Sequence, residues 1–209
     1  SWIPVVLNGG ESSRLSLLDL FSDLEKVQDL SLRPHERIAL MRLFLCIAHV
    51  ALDGPKNRKE WKLCKDKISQ ASIKYLSRDE IKRAFELLGD EDRFLQVSDL
   101  ELASGDKVGQ PSSKLDFALA SGNNATLFDQ AAGGDRVASG SSNALNLVTF
   151  QNFSPTGTIG VGLWGGKPTT GWGKHPKPSP GTSNHSPCVY GNMLHTFLRG
   201  QNLLETLHL

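Results

Sequence analysis

Residues 34–53 read PHERIALMRLFLCIAHVALD, and this stretch decides the fold. Pro34 lacks the N–H that a helix start leaves unbonded, and Glu36 places a carboxylate in the first turn, where the helix dipole favours it. Ile38, Met41, Phe44, Leu45, Ala48 and Leu52 with their neighbours are apolar almost all the way round. A helix over 34–53 is therefore expected inside the core, stopped by Gly54-Pro55.

Outward from it, a second helix is expected from about Asn57, with Trp61, Cys64 and Ile68 on one side and Arg58, Lys62 and Lys65 on another. Ser77-Arg78-Asp79-Glu80 has the spacing of a capping box. Ile81, Ala84, Phe85 and Leu88 would form the buried stripe of the helix it starts, and Gly89 would end that helix. Trp2–Leu7 and Arg93–Val97 read as short strands, and residues 141–150 as a helix through Ala144, Leu145, Leu147 and Val148. Residues 154–191 hold much glycine and proline without a sustained period, the pattern of a long functional loop, and the chain closes on an apolar segment, Met193–Leu209. The fold class is α+β: a helix-rich lobe with small β-sheets and long glycine-rich loops.

The 209 residues carry 23 basic and 22 acidic side chains, a formal net charge of +1 that excludes global coating of nucleic acid and leaves only a local basic site. Charge divides the chain. Residues 1–121 hold 19 acids and 18 bases, whereas residues 122–209 hold three acids and five bases, with eleven glycines between Gly122 and Gly173. Cys46, Cys64 and Cys188 are odd in number and far apart, which argues against a disulfide framework and fits a reduced, cytoplasmic protein. The longest apolar run is too short to span a bilayer, so no membrane association is expected.

Several chemistries fail on spacing. A phosphate-binding loop needs glycine five positions before Gly-Lys, but Gly166-Lys167 has Val161 there and Gly173-Lys174 has Pro168. Gly140-Ser141-Ser142-Asn143 resembles a hydrolase nucleophile turn, yet Asp135–Ala138 cannot be the central strand that would deliver Ser142, which favours serines capping a helix. His185, Cys188 and His195 lack a fourth ligand at a zinc spacing, so no metal or cofactor is expected. Acids are too few in the second half for an acid–base pair. The cations Arg58, Lys59, Lys62, Lys65, Lys67, Lys74, Arg78, Lys82 and Arg83 are interspersed with acids and read as a solvated face. What remains is a pair of glycine-dense loops bearing Phe128, Trp164, Trp172, Lys167, Lys174 and Lys177, a composition suited to nucleic acid: backbone close to a groove, rings on bases, lysines on phosphates.

Ser1-Trp-Ile-Pro-Val5, Leu45-Cys46-Ile47, Phe94-Leu95-Gln96, the loop around Phe128, Phe150-Gln151-Asn152, Leu163-Trp164-Gly165-Gly166 and Thr196-Phe197-Leu198-Arg199-Gly200 occur in this order. In that order they resemble the large subunit of the type I-E CRISPR Cascade complex, the CasA family. The resemblance covers residues 1–209 as the amino-terminal lobe, a single domain, without the family's carboxy-terminal helical bundle. It implies a non-catalytic subunit that recognises the protospacer-adjacent motif in double-stranded DNA and promotes guide RNA strand invasion in antiviral defence. Its implied partners are CRISPR RNA, target DNA, the backbone, handle-binding and small subunits, and a helicase-nuclease recruited after target binding. Leu127, Phe128, Asp129 and Gln130 match the family's loop that contacts CRISPR RNA and the complex. Gly157, Thr158, Ile159, Gly160, Val161 and Gly162 match the loop that enters the minor groove, where bare backbone fits and readout is degenerate. Lys167, Lys174 and Lys177 would contact phosphates. The alternatives are a serine hydrolase or phosphate-ester enzyme built on Ser142 or the Gly166-Lys167 turn, and an interaction module with no nucleic-acid contact.

Overall fold

The computed structural model describes residues 1–90, 93–102, 112–120, 129, 136–153, 162–168 and 196–209. Three antiparallel strands, β1 (Ile3–Leu7), β2 (Ser12–Leu15) and β3 (Val27–Leu30), form a sheet in the order β2-β1-β3. Its register pairs Ile3 with Leu15 and Val5 with both Ser13 and Leu30. Period-two alternation places Ile3 and Val5 on the buried face, where Val27 and Leu30 of β3 join them. Between β2 and β3 lies α1 (Leu17–Ser22), opened by a capping box: Ser16 Oγ accepts from the Asp19 N–H at 3.1 Å, and an Asp19 carboxylate oxygen accepts from the Ser16 N–H at 3.3 Å.

The central helix, α2 (Pro34–Ala51), forms as its sequence dictates and ends on Leu52, with Asp53 and Gly54 at positive φ. Ala39, Leu40, Phe44 and Ala48 are completely buried, and Phe44 meets the edge of Phe21 from α1 at 6.0 Å between ring centres. Burial of each such aromatic stabilises the fold by about 2–3 kcal/mol. One side of α2 packs on α4 (Ile68–Leu76), another on α6 (Gly140–Phe153), and α7 (Leu203–His208) closes the core with Leu203, Leu204 and Leu207. Although α6 carries the expected Ala144, Leu147 and Val148 inward, it also buries Asn146 and Thr149. Thr149 satisfies its hydroxyl on the Leu145 carbonyl at 2.8 Å.

Four expectations fail in the segment between α2 and the second sheet. The helix from Asn57 is not continuous: α3 (Arg58–Lys62) stops at Leu63, a 3-10 turn spans Lys65–Lys67, and α4 begins at Ile68. Trp61 is spent on a long-range contact described below, so local periodicity yields to tertiary packing. Ser77 does not cap the next helix, because its backbone is helical and closes α4 by donating to the Ile73 carbonyl. Extended Arg78 takes the cap of α5 (Asp79–Ala84), which ends five residues before Gly89. Of the predicted stripe, Ile81 and Phe85 pack on the core, whereas Ala84 is exposed and Leu88, past the helix end, is 85% exposed, its place taken by Leu87. Arg93–Val97 is a turn, with Leu95 at φ 52°; Phe94 nevertheless packs inward, stacked on Phe85 at 5.1 Å and tilted against Trp2. The strand lies further on, as β4 (Leu100–Leu102).

A second antiparallel sheet, β4-β5-β6, is made with β5 (Gly162–Trp164) and β6 (Lys167–Pro168). Two small sheets beside dominant helices are the α+β architecture expected. Among the described residues no helix is long and apolar enough to cross a membrane.

Candidate nucleic-acid interface

The glycine-rich loop delivers its last residue, Gly162, into β5, opposite Leu102 of β4. Trp164, two positions on, pairs with Leu100 on one side and with Lys167 across the hairpin on the other. Gly165 and Gly166 make the two-residue turn at φ 54° and 71°, the conformation that a tight hairpin requires and a side chain resists. Gly162 is thus paired on one side, with β4, and the next two residues of β5 on both. Trp164 is 48% exposed, and Leu100 opposite it is exposed too, so this sheet presents an aromatic–aliphatic pair to its surroundings. Gly157, Thr158, Ile159, Gly160 and Val161 lie outside the described residues, as do Lys174, Lys177 and Trp172.

Of the four residues matched to the RNA-contact loop, Leu127, Phe128 and Gln130 lie outside the described residues. Asp129 is described, and its carboxylate does not point outward. One oxygen accepts from the Ala120 N–H at 2.6 Å; the other meets the Arg136 guanidinium at 2.6 Å, and the side chain is only 15% exposed. This hydrogen bond holds the Arg136 proton more firmly than usual. An inward carboxylate ties positions 120 and 136 together and keeps its charge away from a polyanion. Arg136 is a residue that sequence reasoning missed: nothing in the spacing of Asp129 and Arg136 distinguishes this pair from any other acid and base.

The remaining candidates separate cleanly. Ser139 caps α6, its Oγ accepting from the Ser142 N–H at 3.1 Å, while Ser142 is exposed and both described sheets are antiparallel, so no described strand delivers a nucleophile there. The basic residues from Arg58 to Arg83 are spread over α3, the 3-10 turn, α4 and α5 instead of tracking one helix. Lys65 pairs with Glu205 at 3.5 Å, Lys82 with Asp79 at 3.4 Å, and Arg78 lies over the Tyr75 ring. Among the described residues no three His, Cys, Asp or Glu side chains gather as a metal site; His185, Cys188 and His195 are outside them.

Two ion-pair clusters flank the start of α2. Arg33 donates its Nε to the buried Glu36 carboxylate at 2.8 Å and reaches Asp116 at 3.0 Å, ties that hold the guanidinium proton more tightly than usual. Asp29 accepts from Arg37 at 2.9 Å and from Arg199 at the same oxygen. Between these clusters sits His35, edge-on to Phe117 and Phe153, its Nε2 buried without a hydrogen-bond partner; burial lowers its proton affinity.

The family model for CRISPR-associated protein Cse1 matches residues 1–209. A CRISPR-associated protein CasA/Cse1 of Thermus thermophilus is 34% identical over 173 residues, covering 77% of this chain and 32% of the relative. The crystal structure of Thermobifida fusca Cse1 superposes with a TM-score of 0.68 at 26% identity, over 99% of this chain and 37% of that one. A chain of a CRISPR RNA-guided surveillance complex shares the fold at 17% identity, with a TM-score of 0.59 over 80% of this chain and 36% of its own. The chain therefore spans about a third of the length of these relatives.

Proposed function

The chain belongs to the CRISPR-associated protein Cse1 family, and we propose that it is the amino-terminal lobe of a large subunit that recognises the protospacer-adjacent motif in duplex DNA. In this reading it promotes strand invasion by the guide RNA. Sequence specificity then comes from base pairing, while the protein reads the flanking motif and the duplex shape. It performs no catalysis, acts in the cytoplasm with CRISPR RNA and the backbone, handle-binding and small subunits, and leaves cleavage to a helicase-nuclease recruited after target binding.

What supports the DNA role is the setting of residues 157–162. Glycine lets backbone approach a narrow groove closely, and three of these six residues are glycine. Gly162, the last of them, enters a strand that is paired with β4 and β6. Lys167, Lys174 and Lys177, close behind in sequence, would meet phosphates and position the loop. Leu127, Phe128 and Gln130 would contact CRISPR RNA and neighbouring subunits, with Asp129 bracing that loop from within.

The test is Gly160→Asp in the subunit assembled with its partners, since an added carboxylate both fills the space and repels the phosphates. Gel-shift titration on duplex carrying the motif should show affinity reduced roughly tenfold or more, with assembly intact. Phe128→Ala should instead release the subunit from the guide-loaded complex on size exclusion. Unaltered DNA affinity in the first variant rejects the groove assignment; co-elution at wild-type stoichiometry in the second rejects the contact loop.

A further inference from the structure

Residues 112–120 are clamped onto two helices. The 3-10 turn Ser112–Leu115 packs on α6, and Asp116 pairs at 3.0 Å with Arg33, the residue that opens α2. The Phe117 ring stacks on Phe150 of α6 at 5.6 Å between ring centres and meets His35 of α2 edge-on. The Asp116 oxygen that takes Arg33 also accepts from the Ala118 N–H at 2.9 Å, and Ala120, where the clamp ends, is buried. A second fixed point stands at Ser139, whose hydroxyl caps α6 by accepting from the Ser142 N–H. Arg136 lies three residues before it. Asp129 joins the two fixed points, taking the Ala120 N–H on one oxygen and the Arg136 guanidinium on the other, both at 2.6 Å.

We propose that Arg136 is a positioning residue for the contact with CRISPR RNA, a role that rests on the assignment of residues 127–130 to the contact loop. It touches no RNA itself. By holding the Asp129 carboxylate against Ala120 it fixes the place from which Phe128 makes that contact. One peptide bond joins Phe128 to Asp129 and sets their α-carbons about 3.8 Å apart, so whatever fixes Asp129 limits where Phe128 can stand. A phosphate would have to displace a charge-assisted hydrogen bond to win this guanidinium, which makes Arg136 a brace and not an RNA ligand. Without the brace, the ordering of Asp129 falls to the RNA at the moment of binding, and that cost appears as lower affinity.

The experiment titrates the subunit against guide-loaded complex prepared without it. Arg136→Gln should weaken association about tenfold, the effect of one hydrogen bond between charged groups, at an unchanged melting temperature. Arg136→Lys, which can still donate to the carboxylate, should recover most of the loss. If Arg136→Gln melts early, Asp129→Asn, which keeps an acceptor for Ala120, supplies the same comparison. Two readouts separate positioning from contact. The slope of log affinity against log salt should stay at the wild-type value in Arg136→Gln, because no phosphate contact is lost. Asp129→Ala and Arg136→Ala together should cost no more than either alone. A slope lowered by about one, additive losses, or undiminished association of Arg136→Gln beside a weakened Phe128→Ala would overturn the positioning role alone. Wild-type association of Phe128→Ala would overturn the contact loop and the positioning role with it.

Discussion

Trp61 and His208 hold each other twice. The indole Nε1–H donates to the His208 carbonyl at 2.9 Å, and the His208 ring, as its Nε2–H tautomer, donates to the Trp61 carbonyl at 3.2 Å. His49, near the end of α2, stacks on the indole at 4.7 Å between ring centres, so one tryptophan joins α2, α3 and α7. Trp61→Phe keeps a ring but removes the donor and leaves the His208 carbonyl unpaired. A loss of about 1–2 kcal/mol is expected in urea denaturation, with the slope unchanged.

Arg33 neutralises a carboxylate that is almost entirely out of water. Removing it by Arg33→Ala leaves Glu36 charged and buried and also frees Asp116, so about 3 kcal/mol should be lost. The double variant Arg33→Leu, Glu36→Leu should regain part of this, because no orphaned charge remains. A double-variant cycle with near-additive losses would show that the pair carries no coupling.

The lowered proton affinity of His35, caused first by burial, has a defined consequence for acid stability. Its folded pKa lies below the unfolded value of 6.5, so the unfolded chain binds the extra proton first. Its contribution is whole above pH 6.5 and is lost as pH falls through that value towards the folded pKa. His35→Phe removes both the titration and the unpaired Nε2. Its melting temperature should exceed the wild type's, by more at pH 5.5 than at pH 8, and a gap that does not change with pH would contradict this.

Gly200 has no room for a side chain. A Cβ built there would stand 2.2 Å from Cβ of Glu205, within the first turn of α7, and 3.0 Å from the backbone of Glu205 and Thr206. Its N–H also donates to the Thr206 hydroxyl at 3.1 Å. Gly200→Ala must push α7 away from the core that Leu203, Leu204 and Leu207 seal, and a loss of about 2–3 kcal/mol is expected from thermal melts.

The helix from Pro34 was legible because its signals are local: a proline, a first-turn acid, a continuous apolar surface and a Gly-Pro stop. The same holds for β1 and the start of α6. Ser77 misled because one residue cannot be both the helical end of α4 and the extended cap of α5, and the sequence carries both possibilities. Ser16 offers an equally good cap that actually forms. Arg93–Val97 alternates correctly, yet Phe94 turns inward to the Phe85 and Trp2 rings, and Leu95 takes positive φ to allow it. In the candidate interface the β5–β6 hairpin falls inside residues 154–191, expected as one long loop, because strands of three and two residues are too short to show a period. The inward carboxylate of Asp129 was not legible either, since its partners at Ala120 and Arg136 are chosen by chain path and not by spacing.

The contacts between Asp29 and Arg199, 170 residues apart, and the seal of α7 over β3 set a schedule on the ribosome. At about 5–20 residues per second, the first sheet leaves the exit tunnel roughly 10–30 s before the segment that roofs it. During that interval Leu24, Val27 and Leu30 lack their final cover, and a nascent polypeptide with such a bare flank is a natural client for trigger-type holding factors. Silent codon changes that slow translation ahead of residue 199 should therefore lower the yield of correctly assembled subunit without altering any residue in it.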